Sequence, residues 1–183
     1  MRIICLLAAM LLTACSSQPP QMESYLLRAP VAAGADNAIA ESGYALGSIQ
    51  VATYIDQPGL VLATGDGKVH AARNHVWAEP LQVSLRRYLA VEVSDGSGRD
   101  IAATANTSTR TRINVTIDEL HGNSKGAAVL VAYWNVAGGE GSKSFRFSEQ
   151  QALAGDGYDA LVQAQEALLR RLAAAIANSL PPA

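Results

Sequence analysis

Between residues 112 and 148 the chain alternates apolar and polar residues with a period of two, and no other stretch restricts its fold as much. Ile113, Val115 and Ile117 interleave with Arg112, Asn114, Thr116 and Asp118, the pattern of a strand with one face in a core. Ala127 to Val136 is apolar on both faces, as a central strand is. Phe145 and Phe147 interleave with Ser144, Arg146 and Ser148, giving a third strand. The intervening segments, His121 to Gly126 and Gly138-Gly139-Glu140-Gly141, are turn formers too short for a crossover. The three strands therefore predict an antiparallel meander. Its apolar face must be covered by something else in the chain.

Two helical patterns can supply that cover. From Asn74 to Val93, Trp77, Leu81, Leu85, Tyr88 and Leu89 fall on one stripe, with Gln82, Arg86 and Arg87 off it. Pro80 is tolerable only in a first turn, where amides lack partners anyway, so a start near His75 or Val76 is expected. The second pattern, Tyr158 to Leu180, buries Leu161, Val162, Leu168, Leu169, Leu172 and Ile176. Asp156 is its expected N-cap, Glu166 and Arg170 an i,i+4 pair on the outer face, and Pro181-Pro182 its end.

Upstream, Tyr25-Leu26-Leu27 reads as a short strand, Val31 to Ser42 as a loop, and Tyr44 to Thr53 as a second strand. Leu60 to Leu62 and Lys68 to Ala71 flank a hairpin turn at Gly65-Asp66-Gly67. Ser94 to Thr109 reads as a long connection with a brief edge strand at Ile101 to Ala103. The order β-β-β-α-β-β-β-α predicts an α/β (α+β) fold. Its expected form is a two-layer sandwich, a mostly antiparallel sheet with two helices on one face.

The first residues belong to no such layer. Arg2 and the apolar run Ile3 to Leu12 have the charge and length of a secretory signal, too short to span a bilayer as a helix. The run ends in Leu12-Thr13-Ala14-Cys15, which resembles the lipobox of bacterial lipoproteins. That resemblance implies a diacylglycerol on the Cys15 thiol, cleavage before Cys15, and an acyl chain on the new amino group. Ser16, where a retained lipoprotein would carry Asp, points by the same sorting rule to the outer membrane, with the domain on its periplasmic face. The expected division is a signal peptide at 1–14, a lipidated N-terminus and tether at 15–23, and one domain at 24–180. Two or more acyl chains at about 0.8 kcal/mol per buried methylene make such an anchor permanent.

Of the two cysteines, Cys5 lies in the removed segment, so the mature chain has no thiol pair for a disulfide and must hold by burial alone. A formal net charge of -2 argues against a nucleic-acid partner, which would call for a basic stripe. No residue pattern points to catalysis or to a bound cofactor. His70, His75 and His121 lack metal-ligand spacing. No Gly-x-Ser-x-Gly elbow occurs, and the Gly-Asp-Gly triplets at Gly65 and Gly155 lack the Lys of a phosphate loop. Asp118-Glu119 reads as a solvated strand end. Trp77 and Trp134 read as core, the alternative being a lipid-accepting groove between helix and sheet. Tyr54, Asp56 and Pro58 sit on an interstrand loop and are the candidate partner-binding residues, against the simpler reading of a rigid turn.

Laid out this way, the mature chain resembles the PqiC/YmbA-type ABC transport auxiliary lipoproteins. The likeness rests on Tyr25-Leu26-Leu27, on Tyr54-Ile55-Asp56-Gln57-Pro58 followed by Leu60-Val61, on Trp77-Ala78-Glu79-Pro80-Leu81, and on Tyr158-Asp159-Ala160-Leu161-Val162. Ser94 to Thr109 shows no family pattern. The resemblance implies a non-catalytic, outer-membrane-tethered adaptor of an MCE-type intermembrane lipid transport system. Its expected partner is the MCE-domain protein, and a homo-oligomeric ring is compatible with the family. Two other readings stand beside it: a structural lipoprotein that binds peptidoglycan or an assembly machine, and a free-standing periplasmic lipid carrier, which would need an internal cavity.

Overall fold

The computed structural model describes residues 21–30, 43–107, 109–139 and 141–181. Cys15, the signal segment and the expected loop at 31–42 lie outside the described residues. Among the described residues the fold is mixed α/β, with eight strands and two helices. No described helix is long and apolar enough to cross a membrane.

The meander forms as its alternation requires. Strands β6 (Thr111–Asn123), β7 (Ala127–Gly138) and β8 (Gly141–Ala152) pair antiparallel, and Ile113, Val115 and Ile117 are buried. β7 lies along one edge of β6 from Arg112 to Gly122. Two strands share the opposite edge end to end. β2 (Tyr44–Val51) runs parallel to β6 from Thr111 to Ile117, and β3 (Gly59–Gly65) pairs parallel at Gly122 and Asn123. From β3 the sheet extends through β4 (Lys68–Trp77), antiparallel, to β1 (Glu23–Tyr25), parallel to β4. From β2 it extends to β5 (Ile101–Ala102).

The sheet is thus mixed rather than mostly antiparallel: β1·β4, β2·β5, β2·β6 and β3·β6 are parallel, and only β3·β4, β6·β7 and β7·β8 are antiparallel. Short turns announce hairpins locally. The parallel contacts are made between segments far apart in sequence, which no local pattern displays.

Helices α1 (Leu81–Ser97) and α2 (Tyr158–Ser179) run side by side in the same direction. The Tyr88 hydroxyl donates to the Glu166 carbonyl at 3.4 Å, Arg170 lies 3.8 Å from Glu92, and Gly96 abuts Ala177. α1 packs on β2 and β5, and α2 on β6, β7 and β8. Leu161, Leu168, Leu169, Leu172 and Ile176 are fully buried between them and the sheet, as are Leu85, Leu89 and Val93. Such burial contributes about 1.5–3 kcal/mol per large aliphatic side chain.

Several expectations are corrected. The first helix begins at Leu81, not near His75; residues 74–77 are the end of β4, held by Glu23↔His75, Ser24↔Val76 and Tyr25↔Trp77. Pro80, at φ -51 and ψ 125, is the residue before the helix, and Gly98 in the left-handed region ends it. The first strand is Glu23–Tyr25, so Leu26 and Leu27 follow it. Gly157 rather than Asp156 precedes α2; Arg170 acts electrostatically on Glu166 as expected and also lies 3.8 Å from Glu92 across the helices. β6 continues through His121, which is buried, and Asp118 sits at a bulge inside it. The expected Asp66-Gly67 turn forms, both residues having positive φ (53 and 72), as a primed hairpin turn needs.

Candidate functional site

The loop between β2 and β3 lies where those strands meet on the edge of β6, and its backbone is fully organised. Ala52 N–H donates to the Ile117 carbonyl at 2.9 Å, and the Ile55 and Asp56 amides donate back to Ala52 at 3.0 and 3.1 Å. Ile55 points into the core at 2% exposure and pins the loop. The Gln57 side chain donates to the Tyr54 carbonyl at 2.5 Å. The rigid-turn reading is therefore correct, and it coexists with exposed side chains at Asp56 and Pro58.

The three candidate residues do not act on one surface. Tyr54 is half-buried, its ring 6.3 Å from that of His121, in a pocket of about 320 Å³ that includes Lys68, Asp118 and Glu119. Burial first, then the charges of Glu119 and Asp118, push its hydroxyl up to about 12. Asp56 and Pro58 face the other way, into a second pocket of about 320 Å³ shared with Trp77, Glu79, Pro80 and Leu81. The Trp77 amide donates to the Pro58 carbonyl at 2.8 Å, so β4 closes that wall.

Glu79 forms the far rim of this pocket. It accepts from Arg28 at 2.8 Å, from Arg87, and from the Ser84 hydroxyl at 3.2 Å. Desolvation alone would raise its carboxyl, but the hydrogen bonds and charges of Arg28 and Arg87 hold it below its ordinary range. The sequence singled out the Trp-Ala-Glu-Pro-Leu run but gave no sign of Arg28, 51 residues away along the chain.

Next to it, one tyrosine ties β1, already laddered onto β4, to the start of α2. The Tyr25 hydroxyl reaches Asp159 Oδ1 at 2.8 Å, His75 Nδ1 at 3.0 Å and Glu23 Oε2 at 3.1 Å. His75 stacks on Tyr158 at 4.1 Å. Desolvation, with the Asp159 and Glu23 carboxylates as acceptors, pushes the Tyr25 hydroxyl well above its ordinary value. The Ala78 amide donates to the Tyr25 carbonyl at 2.8 Å. All four stretches that carry the family likeness are thus linked in space, Pro58 to Trp77, Ala78 to Tyr25 and Tyr25 to Asp159, although they are separated widely in sequence.

Both tryptophans are core residues. Trp77 is 7% and Trp134 6% exposed; Trp134 stacks on Phe145 at 5.2 Å and donates to Ser179 Oγ at 2.9 Å. An open groove of about 540 Å³ lies beside α1, floored by Ala90, Val91, Ile101 and Ala102, and neither tryptophan lines it. Among the described residues, no group of three His, Cys, Asp or Glu side chains is placed to hold a metal ion.

Comparison with known proteins agrees with this picture. Residues 25–177 match the model of a family described as the ABC-type transport auxiliary lipoprotein component. The chain is 30% identical over 180 residues to the intermembrane transport lipoprotein PqiC of Escherichia coli K12, covering 95% of this chain and 94% of that protein. The same identity and coverage hold for PqiC of Shigella flexneri. A crystal structure of an uncharacterized protein superposes with a TM-score of 0.75 at 25% identity, over 88% of this chain and 99% of that one. Protein XCC0632 of Xanthomonas campestris shares the fold, with a TM-score of 0.64 at 16% identity over 84% of this chain and 91% of its own.

Proposed function

Because the chain belongs to the ABC-type transport auxiliary lipoprotein family, we propose that it is a non-catalytic subunit of an intermembrane lipid transport system, anchored to the outer membrane through acylated Cys15. In this reading it docks the MCE-domain component of that system at the periplasmic face of the membrane. The observation that carries the reading is that two of the four family-like stretches, 54–58 and 77–81, line the Asp56–Leu81 pocket, with Tyr25 bonded to its Ala78 wall and, through its hydroxyl, to Asp159. A pocket that is rigid, partly apolar and edged by an exposed carboxylate suits capture of a protein segment better than turnover of a substrate.

The test is co-purification of the MCE-domain component with the full-length lipoprotein from detergent-solubilised membranes. Tyr54→Ala with Asp56→Ala is expected to remain in the membrane fraction and lose most of the co-purifying partner. Undiminished co-purification by a folded double variant rejects the surface.

A further inference from the structure

We infer that the domain stands on the membrane in one orientation, with the end carrying the β3–β4 hairpin tip, the β6–β7 turn and the 153–157 loop facing the lipid surface. The inference rests on the proposed anchor at Cys15. The chain between Cys15 and Glu23 reaches at most about 28 Å even when fully extended. Its far end is no free tether. β1 is laddered onto β4 through three residue pairs, and Tyr25 ties it to Asp159 and His75 at the start of α2.

The topology tells which end that is. β1 runs parallel to β4, so the chain preceding Glu23 points back toward the start of β4, the hairpin at Asp66-Gly67. β3 pairs Leu62 and Ala63 with the last residues of β6 and continues past them, so its tip projects beyond the β6–β7 turn. α2 starts at the same level, where His75 stacks on Tyr158. The β7–β8 hairpin at Gly138 and Gly141 lies at the other end, beside Ser179 and Pro181. The parallel helices place both their N-termini toward the arm and both C-termini away from it.

The surface at the arm end suits the assignment. Met22 and Val69, 68% and 49% exposed, are large apolar side chains left in solvent there. Lys68 and Lys125 are exposed there together with Asp66, Asp156 and Glu23, so this end carries charges of both signs. Its exposed apolar side chains are what favour the interfacial zone of a bilayer.

Cys15 is the sole cysteine after residue 14, so one introduced thiol labels one place. The full-length lipidated protein, carrying a donor dye at Asp156→Cys or at Ser142→Cys, is reconstituted in phosphatidylethanolamine–phosphatidylglycerol vesicles with acceptor dye on a lipid headgroup. The two sites are separated along α2 by about 33 Å, and transfer from Asp156→Cys is expected to exceed that from Ser142→Cys at least about twofold. Inserting a twelve-residue Gly-Ser segment after Gln21 is expected to erase the difference. Equal or reversed transfer in protein that floats with the vesicles overturns the orientation, and a difference that survives the insertion overturns the short arm as its cause. Protein that does not float refutes the anchor itself, and the inference with it.

Discussion

Gly59 follows the candidate loop, and its replacement by alanine tests the register on which the site depends. A Cβ at this position would stand 2.3 Å from the Ala72 carbonyl oxygen, 3.2 Å from its nitrogen and 3.3 Å from its carbonyl carbon. These are backbone atoms and cannot rotate away. An ordinary carbon–oxygen approach is about 3.3 Å or more, so β3 and β4 would have to part by about 1 Å. Overpacking of this kind costs about 1–3 kcal/mol. Weakening the Trp77-to-Pro58 hydrogen bond adds about 0.5–1.5 kcal/mol. The reduced freedom of the unfolded chain returns about 0.4–1 kcal/mol. The net loss is about 0.5–4 kcal/mol, or about 1–16 °C in melting temperature for a chain of this size. Gly155→Ala is the control, since nothing lies within 4 Å of its added methyl. Circular-dichroism melts of the two purified variants should differ accordingly. Because Pro58 moves with Gly59, the partner should also co-purify less well with Gly59→Ala at a temperature where it is folded. Identical melts for the two variants would refute the pairing of β3 with β4 at this register, and with it the shape of the Asp56–Leu81 pocket.

Three further outcomes follow from burial, charge and the anchor. Leu172→Asp should leave the domain unfolded by circular dichroism, since the residue is fully buried and an unpaired carboxylate there costs several kcal/mol against a typical stability of about 5–15. Cys15→Ala should leave the melting curve of the domain intact while shifting the protein out of the membrane fraction on cell fractionation. Burial raises the Glu166 carboxyl above its ordinary value of 4.5, and Arg170 offsets this only in part. The charged form therefore opposes folding at neutral pH, and the cost disappears as pH falls through the raised value. Glu166→Gln should melt above wild type at pH 7, with the gap closing below the ordinary carboxylate range; a gap that widens on acidification would contradict the assignment.

The legible parts of this fold were those whose physics is local. The alternation from Arg112 to Ser148 gave three strands in their correct order because side-chain direction has a period of two and both connections are short. The α2 stripe from Leu161 to Ile176 was equally plain. What failed was non-local. His75 to Trp77 carries a helix-compatible pattern but is drawn into β4 by Glu23 to Tyr25, some fifty residues earlier. Parallel pairing of β2 and β3 on one edge of β6 is invisible for the same reason. At the site, the loop at 54–58 was recognisable from its proline and glycine. The Arg28–Glu79–Arg87 cluster and the Tyr25–His75–Asp159 contact were not, because each is assembled from segments that meet only in the folded sheet.

The division of the loop into two faces changes how the docking surface is dissected. Tyr54 is half-buried against His121, and truncating it removes packing as well as any contact to a partner. A double variant that fails to bind and also melts early says little about which loss mattered. Asp56 is exposed, and its backbone amide rather than its carboxylate holds the turn to Ala52. Exposed substitutions of this sort change stability by less than about 0.5 kcal/mol. Asp56→Ala alone should therefore melt with wild type and still lose partner, if the pocket of Trp77 and Leu81 is the face that docks. Loss confined to Tyr54→Ala, with Asp56→Ala fully competent, would move the docking face to the Asp118–Glu119 side of the loop. The two single variants, each read by melting and by co-purification, separate a structural tyrosine from a recognising carboxylate.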